Sequence, residues 1–220
     1  MFAAKYFYKR VESYLQQMEG SRLIIPFMHT STDILLTLRS RKFEYVWVND
    51  ADPAVASLWR TILVHPRKFT SKISKYMPNQ YDVAYFSAEL SSLKRIPSDV
   101  EELTDTALKK LIIMQDGDIW NPQTLLRYVR SANALLKKQA CRFTSWDFET
   151  VLNDRTLDDL TYIELPPSLD KADVWRLSDC LYPCKNWIVV SQDNEHARTF
   201  FRWANVEYGK DQLIIRPYID

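Results

Sequence analysis

Glycine is nearly missing: three occur in 220 residues, at Gly20, Gly117 and Gly209. Loops that wrap a phosphate or a cofactor depend on glycine for positive φ and close backbone approach. An ordinary nucleotide-binding loop therefore has too little glycine to be built. Histidine is as scarce, with three residues, and so is cysteine, with Cys141, Cys180 and Cys184. Cys180 and Cys184 with so few histidines make a poor metal set, and no metal site is expected. An odd number of cysteines reads as free thiols in a reducing compartment. Charged residues recur too often for any stretch to reach the apolar length of a membrane span. Met1-Phe2-Ala3-Ala4-Lys5-Tyr6 carries no cleavable export pattern. These absences point to a cytoplasmic protein without a membrane partner.

Acidic residues are missing from two long stretches. Residues 53–80 contain Arg60, Arg67, Lys68, Lys72 and Lys75 but no Asp or Glu. Residues 120–142 contain Arg127, Arg130, Lys137, Lys138 and Arg142, again without an acid. The net charge of the chain is only +1, so its charge is strongly segregated. Segregation of this kind is the usual footprint of phosphate contact, although solvated helix faces look the same. Arg67, Lys68, Arg127, Arg130 and Lys137 are the candidate contacts. They carry no base specificity, which needs side chains at base edges.

What is present suits a globular α/β chain, 46% hydrophobic and 26% charged. Phe7, Val11, Tyr14, Leu15 and Met18 recur at helical spacing over residues 5–18, and Gly20 ends that helix. Residues 22–27 form a short buried strand closed by Pro26, and 32–39 a helix. Residues 43–48 form a second strand, and Pro53 opens a helix running to residue 64. Residues 66–140 are mainly helical. Alternation then resumes, with strands at 142–145, 160–165, 187–191 and 212–216 and helices at 148–152, 172–181 and 195–203. This order predicts one mostly parallel sheet flanked by helices, built from residues 1–65 and 141–220, with 66–140 as a helical insertion.

Several short segments, taken in order, resemble the Dam-like DNA adenine methyltransferases. Ala3-Ala4-Lys5 resembles that family's opening Gly-Gly-Lys, without its glycines. Ile25-Pro26-Phe27-Met28-His29 resembles the strand that runs into its glycine loop, and Asn49-Asp50 its ribose-binding acid. Asp147-Phe148 is similar to the pair beside the cofactor's adenine, and Trp187 to Ser191 to a later strand. Leu165-Pro166-Pro167-Ser168 stands where the family has Asp-Pro-Pro-Tyr. The resemblance implies a Rossmann-like, S-adenosylmethionine-dependent methyltransferase fold. It makes Lys5, Phe27, Asp50, Asp147 and Phe148 vestigial cofactor contacts; for Asp50 and Asp147 the other reading is strand-end or cap carboxylates.

The substitutions bear on the chemistry. The amine nitrogen of adenine is a poor nucleophile because its lone pair is delocalised into the ring. In the family, an acceptor at the first position of the turn and the following backbone carbonyl bind that amine and orient the lone pair. The tyrosine stacks on the flipped base. Leu165 accepts no hydrogen bond and Ser168 cannot stack. Glu164 is one residue away, and strand alternation turns it to the opposite face. The expectation is a pseudoenzyme that needs no cofactor, with weak S-adenosylmethionine binding the most that survives. Its partner is DNA or a nucleic-acid-associated protein such as an active methyltransferase, and a phage or mobile-element origin suits such a homologue. The rival expectation is a divergent but active S-adenosylmethionine-dependent DNA methyltransferase.

Overall fold

A computed structural model describes residues 2–29, 35, 38–39, 43–115, 120–156, 158–209 and 212–218, with side chains from Lys9 onward. Helix α1 (Phe2–Gln17) leads into strand β1 (Arg22–Ile25), followed by β2 (Tyr45–Asn49). Helices α2 (Pro53–Val64), α3 (Pro66–Lys75), α4 (Asp82–Leu90), α5 (Val100–Met114) and α6 (Pro122–Leu136) come next. Then follow β3 (Ala140–Thr144), α7 (Phe148–Asn153), β4 (Asp159–Glu164), α8 (Lys171–Leu181), β5 (Trp187–Gln192), α9 (Glu195–Phe200), β6 (Asn205–Tyr208) and β7 (Gln212–Arg216). The helix expected over 32–39 falls largely outside the described residues.

The strands form one seven-stranded sheet in the order β3-β2-β1-β4-β5-β7-β6. β1 to β5 pair in parallel, while β7 runs antiparallel to both β5 and β6. This is the Rossmann-like methyltransferase fold anticipated from the sequence. Its strand order reverses between β1 and β4, and the crevice at the carboxyl ends of those strands is where such sheets bind ligands.

Strand alternation sends successive side chains to opposite faces of the sheet. Leu23, Ile25, Val46, Val48, Leu160, Tyr162, Ile188 and Val190 face one layer of helices. Ile163, Leu165, Trp187, Val189, Leu213 and Ile215 face the other. The helices of residues 66–140 do not stand apart from the sheet. Phe69, Ile73, Leu111, Ile112, Val129 and Leu136 belong to the same buried cluster as Val46, Val48 and Trp59.

Helix starts follow from short polar caps. Asp52, Asp99, Asn121, Asp170 and Asn194 each accept a backbone N–H of the first turn of α2, α5, α6, α8 and α9. Pro53, Pro66 and Pro122 occupy first-turn positions where the missing N–H costs nothing. β6 has no counterpart in the sequence reading, and α9 ends at Phe200 rather than continuing to Trp203. β6 pairs only with β7 and is at most half-buried, so its four residues show no apolar alternation.

Candidate functional site

The carboxyl ends of β1, β2 and β3 are tied together by Asn49. Its Nδ2 donates to the carbonyls of Pro26 and Trp146, each at 3.0 Å. Its Oδ1 accepts from the Thr144 hydroxyl at 2.7 Å and the Trp146 N–H at 2.9 Å. Thr144 in turn accepts the Trp47 indole N–H at 2.8 Å. Asn49 is fully buried and all its hydrogen-bonding groups are engaged.

Asp50, the next residue, is 7% exposed. One carboxylate oxygen accepts the His29 N–H at 2.9 Å, and the other accepts the Asp52 N–H at 3.0 Å. Burial pushes its carboxyl above the ordinary aspartate range, and the two amides only partly offset this. His29 takes φ 41°, a left-handed value uncommon outside glycine. The bend is fixed by its N–H on Asp50 and by its carbonyl, which accepts the Trp59 indole N–H at 2.8 Å. In place of a glycine loop, the segment after β1 carries Met28, fully buried in the core.

Phe27, Phe148 and Leu165 meet in one apolar cluster. The Phe27 and Phe148 rings lie 5.2 Å apart, and Phe27 also stacks on His29 at 6.3 Å. Leu165 continues the β4–β5 ladder by donating its N–H to the Val190 carbonyl at 2.8 Å, and its side chain fills the same cluster. Pro166 is buried, whereas Pro167 and Ser168 are exposed. The Pro166 carbonyl accepts the Leu169 N–H at 3.2 Å, closing the turn.

Asp147 caps α7 through the Glu149 N–H. It also pairs with Arg176 at 3.0 Å, a residue that helical patterning alone does not mark. Arg176 reaches Glu149 and Asp173 as well, and its guanidinium lies 4.8 Å above the Phe148 ring. Asp147 and Phe148 are thus covered by an arginine from α8. Beside it, Arg142 lies 4.3 Å from the Trp47 ring and 4.7 Å from that of Trp146. The Lys5 side chain lies outside the described residues.

The five basic candidates fall into two groups. Lys68 forms an ion pair with Glu101, which Lys72 shares, and Lys72 also reaches Asp105. These lysines hold the Glu101 carboxyl down to about 2. Arg67, Arg127, Arg130 and Lys137 are exposed and have no acidic partner among the described residues. Helical spacing puts Arg127, Arg130, Lys137 and Lys138 within one face of α6 and its C-terminal cap, extending about 16 Å. Leu125, Val129, Ala132 and Leu136 occupy the buried face. Trp120 packs against the core and makes an edge contact with Tyr76 at 6.1 Å.

Among the described residues no group of three or more His, Cys, Asp or Glu is placed to hold a metal ion. None of their helices is long and apolar enough to cross a membrane.

No family model matches the chain, and no curated protein does. Among solved structures, it is similar to the rRNA methyltransferase AviRa from Streptomyces viridochromogenes. That likeness covers 94% of this chain and 82% of the other, at 12% identity and a TM-score of 0.42. The fold assignment rests on strand order and pairing within the chain itself.

Proposed function

We propose that the chain is a methyltransferase-fold protein that transfers no methyl group and binds the phosphate backbone of nucleic acid through the exposed face of α6. One contrast carries the reading. The acids at the crevice are occupied internally, whereas the cations of α6 are not. Asp50 is buried and meets two backbone amides, and Asp147 is a helix cap paired with Arg176. Asp50 therefore offers no open carboxylate to a ribose, and one oxygen of Asp147 is taken by both Arg176 and the Glu149 N–H. Phe27, Phe148 and Leu165 fill their common space with one another, so the residues present do not fit S-adenosylmethionine.

The arrangement leaves no side-chain acceptor for an adenine amine at the first position of the turn. Leu165 is aliphatic and buried, and Ser168 has no ring. On α6, by contrast, four cations share one face with Gln123, Ser131 and Ala134 and no acid. A cationic stripe of this kind releases counterions from a polyanion whatever its sequence. DNA is the partner the basic face suits, through its backbone rather than its bases.

Fluorescence anisotropy with a labelled DNA duplex tests this. The variant R127E/R130E should bind at least tenfold more weakly, and its affinity should fall less steeply with salt, by about 2 in the log–log slope. An unchanged affinity and slope would reject the nucleic-acid reading and leave a protein partner for this face.

A further inference from the structure

The stripe on α6 ends at a second feature. Leu63, Val64, His65, Pro66, Arg67, Lys68 and Lys137 line a surface cleft of about 400 Å³. None of them is acidic. The two sides of the cleft come from segments some 70 residues apart, and a buried side chain holds them together. Asn133 donates to the carbonyls of Ile62 at 2.8 Å and Leu63 at 3.1 Å, both in the last turn of α2. This fixes the C-terminal turn of α6 against the α2–α3 junction. Lys137, one turn beyond Asn133, is thereby brought to the same cleft as Arg67.

We propose that this cleft seats a single phosphate of the bound nucleic acid, with Arg67 and Lys137 as its clamp. The inference rests on the reading of α6 as the nucleic-acid face and assigns that face a fixed end. Arg67 offers planar paired donors and Lys137 a point charge, the two usual ways of holding a phosphate. Lys68 also lines the cleft, but its charge is paired with Glu101, so the clamp is left to Arg67 and Lys137. The start of α3 contributes too, because His65 places no side chain on its first-turn N–H groups. That helix end would not make a site without the cations around it. Lys137 belongs to both stripe and cleft, so a strand tracking the stripe would enter the cleft directly.

His65 is a reporter within the cleft, and only two other histidines, His29 and His196, occur in the chain. The full chain is titrated with inorganic phosphate against a sodium chloride control of matched ionic strength, and the imidazole resonances are followed by NMR. The His65 signal, assigned with H65Q, should move saturably while that of His196 stays still. R67A/K137A should abolish the movement, weaken duplex binding about tenfold and lower the salt slope by about 2. A stationary His65 signal, or full duplex affinity in R67A/K137A while R127E/R130E binds weakly, would overturn the seat and spare the α6 reading. A phosphate response in a protein whose duplex binding ignores R127E/R130E would overturn the α6 reading and reduce the cleft to a free-anion site.

Discussion

Asn49 is where three strand ends converge, and its sequence context gave no hint of that. An Asn-Asp after a strand reads as a turn or a ribose site, yet the asparagine serves the fold with four hydrogen bonds. Asn49→Ala would strand the Trp146 N–H and two carbonyls in a buried setting. It should lower stability by about 2–4 kcal/mol in urea unfolding. Asp50 was legible as a special carboxylate, but its partners were not, because they depend on the bend at His29. Its raised pKa has a defined consequence. Just above the ordinary aspartate pKa, the folded state holds a proton that the unfolded chain has released, so this residue's contribution to stability falls as pH rises through that window. Glu101 and Asp193 are depressed and act with the opposite sign at lower pH. The difference in stability between wild type and D50N, measured from pH 3 to 7, should therefore shift against the wild type with rising pH. A difference independent of pH would contradict the burial of Asp50.

At the scale of elements, periodicity revealed the helices and the buried strands. Leu160 to Leu165 and Trp187 to Ser191 are apolar enough to read as central parallel strands without any structural knowledge. β6 was not legible because an edge strand buries no complete face. Arg176 escaped notice for a different reason: an arginine in an amphipathic helix is ordinary until its target ring and carboxylates are placed. Among the described residues, the glycine with a conformational duty is Gly20, at the junction of α1 and β1. It takes φ 117°, and a Cβ there would stand 2.6 Å from the Asp158 carbonyl oxygen. Gly20→Ala combines left-handed strain with a backbone clash and should cost roughly 2–4 kcal/mol in thermal or urea unfolding. A loss below about 1 kcal/mol would show that the junction relaxes freely.

For the whole molecule, the sequence carried the fold further than the site. Alternation of strands and helices is written in local patterns, and so is the scarcity of glycine. Whether the crevice is open depends on side chains from β1, β3, β4 and α8 meeting in space, and no local pattern records that. Phe27, Asp147, Phe148 and Leu165 do gather at one end of the sheet, as their order along the chain implied. There Phe27, Phe148 and Leu165 share a packed cluster, and its edge at Asp147 is capped and ion-paired. The basic tracts were legible as composition, but only the structure separates the ion-paired Lys68 and Lys72 from the open face of α6.

The most direct test is an isothermal calorimetric titration of the full chain with S-adenosylmethionine, run beside a methyl-transfer assay on duplex DNA. A closed crevice predicts no saturable heat up to millimolar cofactor and no labelled product. Micromolar binding accompanied by methylated adenine would contradict it, and would require Phe27, Phe148 and Leu165 to part around the ligand.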